Sequence, residues 1–387
     1  MKRGLNLVAA AFALTALAYG LARFAYGLLL PQIRADLGLQ VTEAGWIGGG
    51  AFAAYCAGIV LAFSLVGKRG PRAIALGAGL AATVGMALVV VASSAPSLGL
   101  GIALAGLSTG LTSPPLASAV SARIRDRDRP KANGMINAGT SAGIVLSGVA
   151  AIAAHGAWRE VYILFSLIGV TVTVWVWFAL PSRAHNTGPT GISLAILRRP
   201  GIVPLCSSAF LMGLASTAVW TFGADILRVE YGFTENSIAW AWIALGIAGL
   251  SGAFTGFFTT RFGKASVHAV ALLAMATGIL GLAMTLISPV YGFASVSVFG
   301  AAYIVSTGAY LIQGIDLLPD RPDLGLGIPF LVLAVGQTVG TPLFGLLLAS
   351  AGVPVTLAAF AAAACLAIGI RPREEQSRQA TCINLDR

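Results

Sequence analysis

The residues of this chain with the clearest chemical potential stand together near its N-terminus: Thr15, Tyr19, Arg23 and Tyr26, at spacings of four, four and three. On an α-helix that spacing sets all four on one face. Their surroundings are apolar, so Arg23 is a cation inside a segment long enough to cross a bilayer. A charge at mid-helix costs about 2.5 to 3.5 kcal/mol on insertion scales and normally faces a cavity or a partner. A guanidinium framed by phenols suits a small anion, because its planar fork grips a carboxylate through two hydrogen bonds. A structural pairing is the competing use. Arg23 stands seven residues before Leu30, about 10 Å of helix rise, so it could snorkel outward or bind Asp225.

An internal repeat places further candidates. Arg34, Gly38 and Trp46 recur 194 residues later as Arg228, Gly232 and Trp240, and Lys68-Arg69-Gly70 recurs as Arg261-Phe262-Gly263. By that offset Arg23 corresponds to Thr217 and Tyr26 to Trp220, with Thr221 beside them. One half would then hold charge and the other shape, with aromatic packing between helices as the alternative. Further polar stripes at helical spacing are Tyr303, Ser306 and Tyr310; Asn133, Asn137 and Ser141; and Gln337 with Thr341. Each can line a cavity or simply bond a neighbouring helix. Pro114 and Pro115 remove backbone donors beside Thr112 and Ser113, which predicts a bent or unwound helix there and a hinge if the halves move.

The elements that position these residues follow from composition. With 57% hydrophobic and only 10% charged residues, the chain cannot be a soluble domain. Its continuous apolar runs, lacking the alternation of a β-barrel, are membrane helices. Twelve spans are expected near residues 6–30, 44–66, 72–92, 97–120, 132–154, 158–180, 202–227, 237–259, 265–287, 290–314, 325–348 and 354–370. The expected fold is an all-α polytopic bundle of two parallel six-helix repeats, residues 1–180 and 202–370, with a linker at 181–201 and a tail at 371–387. Of the 24 Lys and Arg residues, this topology places only Arg34, Arg159 and Arg228 in outer loops and Arg23 within a span. The bias puts both termini, the linker and the tail in the cytoplasm, and leaves no basic stripe for nucleic acid. Trp46, Trp240, Trp175 and Trp177 read as interface anchors. Cys56, Cys206, Cys365 and Cys382, and His155, His185 and His268, show no metal-ligand or catalytic spacing, so neither metal nor cofactor nor enzymatic activity is expected.

Two motifs carry a family resemblance. Leu30-Pro31-Gln32-Ile33-Arg34-Ala35-Asp36-Leu37-Gly38 and Gly256-x-x-x-Thr260-Arg261-Phe262-Gly263-Lys264 resemble the major facilitator superfamily, along the whole chain. Arg23-Phe24-Ala25-Tyr26 followed by Leu29-Leu30-Pro31 is similar to its YbfB-like bacterial branch. The resemblance implies a carrier with alternating access in the bacterial cytoplasmic membrane, with spans one, four, seven and ten lining the cavity. It points to Lys68 and Arg261, at the loops after spans two and eight, as gating or coupling residues alongside Asp225, Pro114 and Pro115. There are departures. Gly67 and Thr260 stand where the family pattern has an aspartate, Ile102 where span four often has arginine, and Ile144 where the antiporter signature has proline. Asp225 is the acid nearest to lying within a span, so the buried carboxylate common in exporters of cations has no other candidate. The leading expectation is a monomeric secondary carrier of a small organic anion, working as a symporter if proton-coupled. The alternatives are an efflux transporter for drugs or amphiphiles and a non-transporting membrane receptor or scaffold.

Overall fold

The computed structural model describes residues 2–182, 196 and 198–370. Most of the expected linker, with His185, and the tail, with Cys382, lie outside the described residues.

Eleven helical rods are long and apolar enough to cross a membrane. We name them in chain order. Helix α1 runs through three stretches, Lys2–Thr15, Ala16–Phe24 and Ala25–Leu37. It is followed by α2 (Val41–Arg69), α3 (Pro71–Val90), α4 (Ala95–Arg123), α5 (Arg129–Ala153) and α6 (Trp158–Ala179). Then come α7 (Ile202–Val229), α8 (Glu235–Phe262), α9 (Lys264–Leu286) and α10 (Pro289–Leu317). The last rod, Pro322–Gly369, spans 48 residues, far more than one crossing needs. At Gly352 its backbone turns to φ 76° and ψ 176°, so it is two helices, α11 over 322–351 and α12 over 353–369. Twelve crossings result among the described residues, in the order the apolar pattern predicts.

Polarity is inverted relative to a soluble protein. Phe178, Leu286, Leu167 and Val174 are exposed on the outside of the bundle. Thr109, Ser208, Ser216, Gln337 and Thr341 are buried within it. The buried hydroxyls bond carbonyls of their own turn or of a neighbour, as Thr109 does across helices to Ala18 O (2.8 Å). Lipid supplies no hydrophobic drive between helices, so close packing must, and small residues allow it. Gly20 of α1 lies backbone to backbone against Gly143 of α5, and Gly213 of α7 against Leu333 of α11. The helix pairs, α1 with α5 and α7 with α11, are counterparts in the repeat.

The loop ends are tied by cations. Arg72 bonds Leu180 O (2.8 Å) and Arg123 bonds Ala179 O (3.3 Å), which satisfies the C-terminal carbonyls of α6. Arg199, at the start of α7, makes two bonds to Asp320 (2.5 and 2.7 Å) in the connection from α10 to α11. Those bonds hold the Asp320 carboxyl below the usual carboxylate range. Two sequence expectations are corrected. Arg34 and Arg228 belong to the last turns of helices rather than to loops, because α1 continues seven residues beyond its apolar run to Gly38, which caps it at φ 65°. Of the bent or unwound helix expected at Pro114 and Pro115, the unwound form does not occur, because α4 is continuous through both.

The packing predicts that a single methyl group separates two kinds of glycine. Gly20→Ala should lower the melting temperature of the purified protein, since Gly143 backbone occupies the space and overpacking costs about 1 to 3 kcal/mol. Gly50→Ala, with nothing within 4 Å of the new Cβ, should leave it unchanged or slightly raised. Equal effects of the two in differential scanning fluorimetry would contradict the close-packed α1–α5 contact.

Candidate functional site

Helix α1 is not uniformly α-helical. Over Ala16–Phe24 it widens into a π-helical stretch, and the bond from Ala25 N reaches back five residues to Gly20 O. Such stretches weaken the regular ladder and recur at functional sites. Tyr19 and Arg23 both lie in it. The Arg23 guanidinium turns into the bundle and bonds Gln337 there, which removes the snorkelling option. Arg23 is only 8% exposed.

Aromatic rings surround its guanidinium. The central carbon stands 4.3 Å from the ring centre of Tyr55 and 4.8 Å from those of Phe52 and Phe24, with Tyr19 at 5.9 Å. Ring faces attract a cation, more strongly where water is absent. Its polar partner is Gln337 of α11, whose Oε1 accepts from Arg23 Nη2 at 2.5 Å. Gln337 Nε2 in turn donates to Ser216 Oγ of α7 (3.0 Å) and Tyr303 OH of α10 (3.3 Å). None of the ion pairs among the described residues includes Arg23, and its Nε is buried without a hydrogen-bond partner. The guanidinium is thus a charge held by rings and one neutral amide.

Beside it lies a small void, no larger than one water molecule, lined by Phe24, Tyr26, Phe52, Trp220, Thr221 and small residues of α1 and α2. Trp220 forms its far wall, stacked on Phe24 (3.9 Å between ring centres) and edge-on to Tyr303, Phe299 and Trp242. Its Nε1 is buried and unpartnered. On the other side of Arg23, toward the start of α1, Tyr19 OH bonds Ser113 Oγ of α4 (2.8 Å), and Ser113 is exposed. Tyr19 and Ser113 thus lead from Arg23 toward the surface of the bundle, while the opposite side is packed shut.

The seal is at the far end of α1. Gly27 packs against Trp220 O of α7, and Arg34 pairs with Asp225 in the last turns of α7. Arg34 also bonds Leu39 O (3.2 Å). A second pair, Asp36 with Arg159, ties α1 to α6. Asp225 thus pairs with Arg34 and not with Arg23, the partner the sequence offered.

The other expected residues divide plainly. Gln337, Tyr303, Trp220, Thr221, Tyr19 and Tyr26 surround Arg23, although the Tyr26 hydroxyl is engaged by Ala44 O (3.1 Å). Thr217 is buried on α7 and bonds Leu214 O in its own turn. Tyr310 lies two turns along α10 in a separate cluster with Ser208 (2.7 Å) and His268. Asn137 is exposed on α5 and takes no part. Lys68 and Arg261 are exposed at the ends of α2 and α8; Arg261 sits over its neighbour Phe262 (5.6 Å) and Lys68 has no ion pair among the described residues. Phe52, Tyr55 and Ser216 were not singled out from the sequence, and Phe24 and Ser113 were named only within a motif and beside the prolines of α4. For Tyr55 a signal existed, a phenol in mid-span facing the same way as Phe52.

Comparison with known proteins places this arrangement in a family. The family model for the Major Facilitator Superfamily matches residues 12–322, and the chain belongs to that superfamily. It is a multi-pass membrane protein and a secondary transporter rather than an enzyme. Among solved structures it is similar to the nucleoside transporter NupG, at 14% identity, over 95% of this chain and 98% of that one, with a TM-score of 0.76. It is also similar to a bacterial homologue of the human lysosomal transporter Spinster in an inward-facing, occupied conformation (15% identity, 94% and 95% coverage, TM-score 0.74). A third is the human organic anion transporter MFSD10 (16%, 95% and 99%, 0.66). At such identities the likeness is one of fold. No curated protein sequence matches.

The seal generates a stability prediction. Removing one partner of a buried pair leaves the other charge stranded, so Arg34→Ala and Asp225→Ala should each destabilise the purified protein. The double variant should lose less than the sum of the singles, with a coupling of about 0.5 to 3 kcal/mol. Arg23→Ala with Asp225→Ala should be additive. Coupling of Asp225 to Arg23 rather than to Arg34 in denaturation cycles would contradict the observed pairing.

Proposed function

We propose that the protein carries a small organic anion across the membrane by alternating access, with Arg23 as the anion-binding residue. The single observation that carries this reading is a buried guanidinium whose partners are aromatic rings and one neutral amide. A permanent charge in a membrane interior is costly without an opposite charge. An anionic substrate supplies it, and a neutral or cationic one would not.

In this reading residues 1–180 and 202–370 are two six-helix halves that rock about the site. Contacts of α1 with α7, α2 with α11 and α5 with α8 join them. The Arg34–Asp225 end is closed by that pair, so with both termini in the cytoplasm an opening on the Tyr19 side faces inward. The one-sided distribution of Lys and Arg favours that orientation, in the cytoplasmic membrane of a bacterium. Opening the far side then breaks Arg34–Asp225, which makes that pair a gate. Proton symport and action as a monomer complete the reading, and Arg23-Phe24-Ala25-Tyr26 favours the YbfB-like branch. MFSD10 is described as an organic anion transporter, but the argument for an anion rests on Arg23 and not on that likeness.

A thermal-shift screen of the purified protein against carboxylates, phosphates, amines and neutral solutes tests the reading. A ligand at one hundred times its Kd stabilises the folded state by about 2.7 kcal/mol. Stabilising compounds should be anions. Arg23→Ala should abolish their effect, Arg23→Lys should keep a reduced one because it retains the charge without the fork, and Tyr19→Phe should weaken binding by about tenfold at most. Stabilisation by anions that is identical in wild type and Arg23→Ala would contradict the assignment.

A further inference from the structure

The Arg23–Gln337 contact has the geometry of a ligand already in place. A guanidinium binds a carboxylate side-on through two N–H groups on one edge, and Nε with Nη2 forms such an edge. Gln337 Oε1 occupies the Nη2 prong, while the Nε prong is buried and unpartnered. Half of a two-pronged site is filled and the other half waits. Aromatic rings crowd the guanidinium carbon and block its faces, so a ligand must come in along an edge of the plane. A void no larger than one water molecule, bounded by Phe24, Phe52 and Trp220, adjoins Arg23, so these rings must part to admit a ligand's apolar body.

We infer that the carboxamide of Gln337 is a built-in stand-in for the substrate's carboxylate, displaced when a monocarboxylate with a flat apolar body binds. This rests on the anion-site reading and adds what the anion is and which residue yields to it. A neutral amide offers one weaker acceptor where a carboxylate offers two charged ones, so exchange favours the substrate. The displaced amide is not stranded, because Ser216 Oγ and Tyr303 OH stay within reach of its Nε2. The freed Oε1 needs a donor, and Ser306, one turn along α10 from Tyr303, has a buried hydroxyl without a partner that can serve as one. Gln337, Ser216 and Tyr303 belong to α11, α7 and α10, whereas Arg23 belongs to α1. Displacement therefore breaks a bond between α1 and the α7–α10–α11 cluster, and occupancy of the site changes what holds those helices together.

The test uses the full-length protein with benzoate, hexanoate and acetate as probes, measuring affinity by calorimetry and melting temperature by fluorimetry. Gln337→Met keeps the shape of the side chain and removes the competing oxygen. It should bind benzoate about tenfold tighter than wild type, and Arg23→Ala in the same background should erase the gain. Gln337→Glu tethers a carboxylate at the site; it should bind none of the probes and melt higher than wild type. Benzoate should bind more tightly than acetate. If Gln337→Met binds the probes equally or more weakly while Arg23→Ala abolishes binding, the anion site stands and the stand-in falls, Gln337 being a direct ligand. If Gln337→Glu binds benzoate as wild type does, the stand-in also falls. If no probe binds wild type or Gln337→Met, or Arg23→Ala binds as wild type does, the inference and its underlying reading fall together.

Discussion

Burying one guanidinium in the middle of a membrane protein is the constraint around which the rest is arranged. The guanidinium is almost wholly enclosed, so the charge must be held by whatever the helices bring. Helices α1 and α2 bring aromatic faces and α11 brings an amide. The π-helical stretch belongs to the same arrangement, since Tyr19 and Arg23 leave α1 from the segment where its backbone ladder is least regular. Every contact of Arg23 with α2 stays near the chain start, whereas its contact with Gln337 reaches α7, α10 and α11 through Ser216 and Tyr303. One cation thereby holds together helices from opposite ends of the sequence.

The repeat explains the scaffold, and its breaks locate the chemistry. Arg34 bonds Leu39 O and Arg228 bonds Phe233 O, each past a glycine with positive φ, Gly38 and Gly232. These are the same helix ending built twice. Glycine-mediated contacts of α1 with α5 and α7 with α11 are likewise duplicated. Symmetry stops where function would need it to. Arg23 has Thr217 as its counterpart, and Asp225 occupies the position matching Pro31, so the cation and its distant seal are each present once. A symmetric pair of halves thus carries a single asymmetric site and a single asymmetric lock.

Much of this was legible in the sequence, for identifiable reasons. Apolar run length gave twelve helices, including α11 and α12, whose separation rests on the φ 76° turn at Gly352. Arg23, Gln337, Tyr303 and Trp220 stood out because polar and aromatic side chains at helical spacing are conspicuous in an apolar span. Phe24, Phe52 and Tyr55 did not, since rings in a membrane helix look alike whether they face lipid, a neighbour or a cation. The pairing of Asp225 was misread because α1 carries on past its hydrophobic segment, which moves Arg34 from a loop onto a helix facing α7. Tyr310 shares its spacing with Tyr303, a true neighbour of Arg23, but lies too far along α10, and Asn137 is exposed on α5. Periodicity fixes a face and not a depth.

The central claim is that an anion binds Arg23 by replacing Gln337. Its most direct test is a structure determined with the carboxylate that binds most tightly. The account predicts ligand density on the Nε and Nη2 edge of Arg23, with the Gln337 amide turned toward Ser216 and Tyr303. Carboxylate density elsewhere, with the Arg23–Gln337 bond intact, would contradict it.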